Sequence, residues 1–229
     1  MAPPAGDPLK PYRDAVARSG PGFDALLWRS RDYQHTRFRV LCEVAAGGLT
    51  DQGLADATVA DLGCGRADLL LWMQEHGMSV RGYVGVEAIP ELADESRRAA
   101  SDLTAPAEII ESDFAADETL FERLASDHGV TLCLFSGSLN TFDQKRAERV
   151  IDRAWQAGVS VVFNFLSDAP SARRPEPGDP ASRFKTARLL SSFAERVDRI
   201  AFRRDYLPTY DATIGLFQKP SDQKPSDRD

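Results

Sequence analysis

From residue 57 onward, apolar runs alternate with amphipathic ones. Runs at 57–62, 82–87, 107–111, 130–136 and 158–164 read as strands, being short, apolar and bounded by turn residues. Between them, 66–76, 90–100, 117–126 and 143–157 carry apolar residues at helical spacing. The last of these is the clearest: Ala147, Val150, Ile151, Ala154 and Trp155 share one face, and Gly158 follows. Such alternation predicts a parallel sheet with helices on both faces. Val159, Val161, Val162 and Phe163 make the fifth run continuously apolar, as a central parallel strand requires. A helix over 183–195, with Phe184, Leu189, Leu190 and Phe193, leads to two more strands, 197–206 and 210–218. The short connection Leu207-Pro208-Thr209 predicts that these two pair as an antiparallel hairpin. Upstream, 33–46 reads as a helix with Phe38, Leu41, Val44 and Ala45 on one face, closed by Gly47-Gly48. There are no internal repeats.

Breakers divide the rest. Residues 1–11 contain four prolines. A short helical piece over 12–18 is broken by Ser19-Gly20-Pro21-Gly22. Residues 1–22 therefore read as a flexible segment, 23–218 as one domain, and 219–229 as a disordered polar tail. Pro170, Pro175, Pro177, Gly178 and Pro180 crowd a loop over 167–182. Directly after the fifth strand, that loop reads as a mobile lid.

The richest stretch is Asp61-Leu62-Gly63-Cys64-Gly65-Arg66-Ala67-Asp68, at the junction of the first strand and its helix. Glycines let the backbone turn sharply and approach a ligand. The helix N-terminus behind them presents free N–H groups. This is a nucleotide-binding corner. A dinucleotide fingerprint would place a third glycine where Asp68 stands, and Asp68 would repel a pyrophosphate. Asp61, at the strand tip, suits a ligand with a cationic end. Glu87 ends the second strand, followed by Ala88, and an acid there accepts hydrogen bonds from ribose hydroxyls. That feature implies a nucleoside without choosing the cofactor.

The corner resembles motif I of the class I S-adenosylmethionine-dependent methyltransferases, [D/E]-x-G-x-G-x-G. Asp61, Gly63 and Gly65 match, and Ala67 replaces the last glycine. The segments Trp28-Arg29-Ser30, Gln34 to Phe38, Asn164-Phe165-Leu166-Ser167 and Asp205-Tyr206-Leu207-Pro208 are similar to those of small bacterial members of uncharacterised substrate. The resemblance covers most of 23–218. It implies a Rossmann-like, seven-stranded, mostly parallel α/β sheet of order 3-2-1-4-5-7-6, ending in an antiparallel hairpin, with 33–46 as a cap helix. It implies S-adenosyl-L-methionine as cofactor, held by Asp61, Gly63, Cys64, Gly65, Glu87 and Ala88. It places Asp113 at the adenine amino group and Phe114 on the ring. It places Ser136, at the end of the fourth strand, beside the methyl-transfer site. By position, Arg37 or Gln34 binds the methionine carboxylate; the alternative for Arg37 is a solvated helix residue. His35 reads as a surface residue.

Composition narrows the field. The chain has 229 residues and a net charge of −7, the wrong sign for a broad nucleic-acid footprint. Cys42, Cys64 and Cys133 lack metal-ligand spacing and fall in apolar elements, so they read as buried free thiols in a reducing cytoplasm. The first ten residues carry no apolar signal-peptide core, and no apolar run is long enough to span a membrane. No N-P-P-Y-like run follows the fourth strand, against methylation of an exocyclic base amine. No Pro-Cys pair occurs, against a cysteine nucleophile in cytosine methylation. The reading is a methyltransferase acting on a small molecule, with no catalytic residue identified. Two alternatives stand beside it: a nicotinamide-dependent oxidoreductase, and a non-catalytic S-adenosylmethionine-binding regulatory protein.

Overall fold

A computed structural model describes residues 6–49, 53–101, 106–168, 181–208 and 210–219. In chain order the elements are α1 (Lys10–Ser19), α2 (Arg31–Gly48), β1 (Thr58–Leu62), α3 (Asp68–Glu75), β2 (Gly82–Glu87), α4 (Pro90–Ser101), β3 (Ala107–Glu111) and α5 (Leu120–Ser126). Then follow β4 (Leu132–Phe135), α6 (Gln144–Gln156), β5 (Ser160–Ser167), β6 (Arg183–Phe184), α7 (Thr186–Ala194), β7 (Ile200–Arg203) and β8 (Asp211–Leu216). Short 3-10 turns cover Phe23–Leu26 and Gly53–Asp56.

The sheet runs β3-β2-β1-β4-β5-β8-β7. All pairs are parallel except those of β8, which is antiparallel to β5 and β7. This is the expected order, with one addition. The two-residue β6 lies parallel on the end of β5, pairing Arg183 with Leu166 and Phe184 with Ser167. Two residues are too few to display a period, so the sequence reading starts the following helix at 183 instead of Thr186.

The central strands are apolar on both faces because both are covered. Cys133, Phe135, Val161 and Phe163 meet α5, α6 and α7 through Leu124, Ile151 and Phe193. Leu132, Leu134 and Val162 meet α2 and α3 through Leu41, Val44 and Trp72. α2 begins two residues before the expected start because the Ser30 side chain accepts from Tyr33 N at 3.3 Å, capping the helix. Asp143 caps α6 in the same way at Arg146 N, 2.9 Å.

The N-terminal segment departs from expectation. Within the expected flexible stretch 1–22, α1 forms and buries Ala15 and Val16 against Ala25, Ile89 and Leu92. The buried apolar side chains of that stretch, Ala15 and Val16, are too small and few to stand out among the prolines. The expected lid lies outside the described residues over 169–180, and so does the tail over 220–229.

Candidate cofactor and active site

Parallel sheets place ligands at the carboxyl ends of their strands. Here those ends surround a cavity of about 430 Å³. β1 enters it through the turn at 63–67. Gly63 (φ 75°) and Gly65 (φ 60°) hold left-handed backbone. A Cβ on Gly63 would stand 2.7 Å from the Ser138 Cβ, and one on Gly65 2.7 Å from a Leu26 methyl. Glycine is thus needed twice over, for conformation and for close approach by neighbouring chain. Ala67 also takes a left-handed conformation (φ 58°, ψ 28°), where the resembling motif has glycine. Alanine adopts the turn there at a cost of about 1–2 kcal/mol.

Glu87 reaches back from the end of β2 to this turn. Its Oε2 accepts from Gly65 N at 2.9 Å, and its Oε1 from Ala88 N and Ile89 N, each at 2.9 Å. The carboxylate therefore clamps the two loops that border the cavity. Burial raises its pKa, and the three amide donors oppose that. A carboxylate has about four acceptor directions. Three are used within the protein, leaving room for about one ligand donor.

Asp61 and Gln34 are each half-satisfied. Tyr83 Oη donates to Asp61 Oδ2 at 2.8 Å, while Oδ1 is buried without a partner. Burial lifts the Asp61 carboxyl from 3.8 to about 7; the Tyr83 bond opposes this, and the charges of Glu87 and Asp68 add to it. Gln34 Nε2 donates to Asp68 Oδ2 at 2.9 Å, and its Oε1 has no partner. Both residues line the cavity, so two unsatisfied acceptors stand in its wall.

Arg37 is buried, lies over the Trp28 ring at 5.1 Å, and pairs with buried Asp211 at the start of β8. It lines the cavity, yet its charge is balanced within the protein. Asp211 carries no local motif; only the β5–β8 pairing brings it to Arg37, 174 residues earlier.

On the third-strand side, Phe114 lines the cavity, stacked on Phe142 (5.7 Å, 14°) and edge-on to Phe135. Asp113 does not line it. Its Oδ1 accepts from Ala115 N at 2.8 Å, so this carboxylate serves the turn. Sequence reasoning missed Arg153, which fixes the same turn. From α6 it donates to the carbonyls of Phe114 (2.5 Å), Ala115 (3.3 Å) and Asp117 (3.2 Å).

After β4, Ser136, Gly137, Ser138, Asn140 and Thr141 form another wall. Asn164 Oδ1 on β5 anchors this loop by accepting from Gly137 N at 2.7 Å. The side-chain oxygens of Ser136, Ser138 and Asn140 (Oδ1) are buried with no partner, and the Thr141 hydroxyl interacts with the Tyr12 phenol. The mouth is completed by Leu9 and Tyr12 and by Asp24, Leu26, Leu27 and Trp28. The Tyr12 phenol is pushed up to about 12 by burial and then by Glu87, so it stays protonated at neutral pH. Leu9, Tyr12 and Asp24 give no signal in the sequence, because only the docking of α1 brings them to the site. His35 packs against Phe38 and lies off the cavity wall.

Of the residues singled out in the sequence, Gln34, Arg37, Asp61, Gly63, Cys64, Gly65, Glu87, Ala88, Phe114 and Ser136 border this one cavity; Asp113 alone does not. Among the described residues, the wall carries four carboxylates (Asp24, Asp61, Asp68 and Glu87) and one cation, Arg37, already paired.

No family model matches the chain, and no curated protein matches it. Solved structures do. A magnesium protoporphyrin IX methyltransferase from Synechocystis, with S-adenosylmethionine bound, is 15% identical over 94% of this chain and 100% of its own, with a TM-score of 0.62. An O-methyltransferase family protein from Burkholderia thailandensis is 18% identical over 91% of this chain and 63% of its own (TM-score 0.62). A SAM-dependent methyltransferase from Leishmania major is 13% identical over 92% and 86% (TM-score 0.62). At these identities the likeness is one of architecture: the chain has the Rossmann-like fold of the class I S-adenosylmethionine-dependent methyltransferases.

Proposed function

We propose that this protein binds S-adenosyl-L-methionine and transfers its methyl group to a small-molecule acceptor. The observation that carries this reading is the pair of unpartnered buried acceptors, Asp61 Oδ1 and Gln34 Oε1, in a cavity bordered by four carboxylates. An ammonium brings three donors and a positive charge, and would satisfy both atoms. A pyrophosphate would meet Asp61, Asp68 and Glu87 with only a neutralised arginine to balance it, which argues against a nicotinamide dinucleotide.

When bound, the cofactor supplies a sulfonium-activated methyl group. The chain's own residues bind and orient. Asp61 and Gln34 hold the amino end. Arg37, sharing its charge with Asp211, offers its remaining donors to the carboxylate. Glu87 offers about one acceptor direction to the ribose, and Phe114 packs on the adenine. The loop after β4 positions the acceptor, and orientation alone can contribute several kcal/mol to such a transfer. Tyr12, protonated at neutral pH, serves as a donor and not as a base.

Calorimetry of the full chain with S-adenosylmethionine, S-adenosylhomocysteine and NAD tests the reading. The expected result is one-to-one binding of the first two and none of NAD. Binding of NAD in preference to both would overturn it. Binding of S-adenosylmethionine without turnover across a broad metabolite panel would favour a regulatory role.

A further inference from the structure

We infer that the methyl acceptor is an amine that enters the cavity as an ammonium cation. The inference rests on the methyltransferase reading and concerns the part of the cavity beyond the cofactor's corner. Asp61 and Gln34 belong to that corner, and so does Ser138, which packs against Gly63. What remains is Asn140 and Thr141 after β4, with Tyr12, Asp24 and Trp28 on the N-terminal side.

Three properties of this region point to an N–H donor with positive charge. The first is hydrogen-bonding sense. Asn140 Oδ1 is buried and unpartnered and can only accept, while the Thr141 hydroxyl interacts with the Tyr12 phenol. The unpartnered side-chain N–H groups among the described residues, Arg66 Nε, Asn164 Nδ2 and Arg183 Nη1, belong to residues off this wall, and the Ser136 and Ser138 hydroxyls can act in either sense. Among the described residues of this region, the one unmet group that only a ligand donor can satisfy is Asn140 Oδ1. The second is charge. Asp24 stands exposed at the mouth, and no unpaired cation lines the cavity among the described residues. The cofactor adds a net single positive charge against four wall carboxylates. A carboxylate or phosphate on the acceptor would meet no counter-charge, whereas an ammonium meets Asp24, with Asp61, Asp68 and Glu87 in the cofactor's corner behind it. The third is the aromatic ring of Tyr12, which favours a cation over an anion, beside a Trp28 ring that already carries Arg37.

Transfer to such an acceptor balances. The ammonium loses a proton to water at the mouth. The nitrogen lone pair then forms the N–CH₃ bond as the C–S bond breaks, and that bonding pair stays on sulfur. The products are a methylammonium, a neutral thioether and the released proton.

The test uses the full chain saturated with S-adenosylhomocysteine and three probes of equal size: benzylamine, benzyl alcohol and benzoate. Calorimetric titration is expected to rank them in that order, with benzylamine at least 10-fold tighter than benzoate and the gap narrowing as salt rises. Asp24→Asn and Asn140→Ala should each weaken benzylamine about threefold or more, leaving benzyl alcohol less affected and S-adenosylhomocysteine unchanged. Asp24 is exposed, so its variant should fold even if Asn140→Ala does not. Benzoate binding as tightly as benzylamine overturns the inference, and so does a loaded protein that binds none of the three. Failure of the protein to bind S-adenosylhomocysteine at all would instead overturn the methyltransferase reading beneath it.

Discussion

Asp61→Asn should stabilise the protein without ligand and weaken its hold on the cofactor. Asp61 is fully buried, one oxygen takes the Tyr83 hydroxyl, and the other has no partner. Its carboxyl is raised from 3.8 to about 7, chiefly by burial. A folded state that holds a proton which the unfolded chain has lost becomes less stable as pH rises between those two values. The displacement corresponds to at most about 4 kcal/mol withheld above pH 7. Asparagine keeps an acceptor for Tyr83 and carries no ionisation cost. Urea unfolding should therefore find the two proteins alike near pH 4 and the variant more stable at pH 8, by up to that amount. An ammonium beside Oδ1 favours the ionised form, so cofactor binding should release a proton near pH 6 and tighten as pH rises towards 8. In the variant that charge-assisted contact is lost, at about 1.5–3 kcal/mol, or roughly 10- to 150-fold in affinity. Calorimetry in buffers of different ionisation enthalpy reads the proton directly. A variant that is less stable at pH 8 and still binds S-adenosylmethionine at full strength would refute the reasoning.

Other substitutions test other walls. Glu87→Gln sets an amide NH₂ against backbone donors, and should cost about 1.5–3 kcal/mol of stability while weakening S-adenosylmethionine and S-adenosylhomocysteine alike. A 2′-deoxyribose analogue should lose less on this variant than on the native protein; strict additivity would mean that Glu87 does not touch the ribose. Arg37→Ala breaks a buried ion pair and should lower stability by about 3–5 kcal/mol in urea unfolding. The double variant Arg37→Met with Asp211→Asn should recover most of that, bind adenosine normally and bind S-adenosylmethionine weakly; equal loss of both ligands would remove Arg37 from the carboxylate. Arg153→Met frees three carbonyls of the Phe114 turn and should weaken adenosine and S-adenosylmethionine equally, by about tenfold; unchanged adenosine affinity would show that the turn holds without it.

The sheet was legible because its four inner parallel runs are apolar on both faces, while the edge run at 107–111 keeps only Ile109 and Ile110 between glutamates. The terminal hairpin was legible from the break at Leu207-Pro208, although its strands stop earlier and resume later than expected, at Arg203 and Asp211. The cofactor corner was legible because a glycine turn between strand and helix leaves a mark in local sequence. What escaped detection depends on long-range contact. Asp113 reads as an adenine ligand with a turn residue as the alternative, and its bond to Ala115 N within the turn leaves no mark in the sequence. Asp211 meets Arg37 through strand pairing. The segment 1–22 reads as a flexible lead because Ala15 and Val16 are a thin apolar signal, yet it supplies Leu9 and Tyr12 to the cavity. Ala67 was flagged at the right place, and its left-handed backbone shows that the turn keeps its shape without the third glycine.

A crystal structure with S-adenosylhomocysteine bound tests the central claim most directly. The expected result places the ligand's amino group within hydrogen-bonding distance of Asp61 Oδ1 and Gln34 Oε1, one ribose hydroxyl on Glu87, and the adenine against Phe114. An amino group directed away from Asp61 and Gln34, or an adenine on another wall of the cavity, would contradict it.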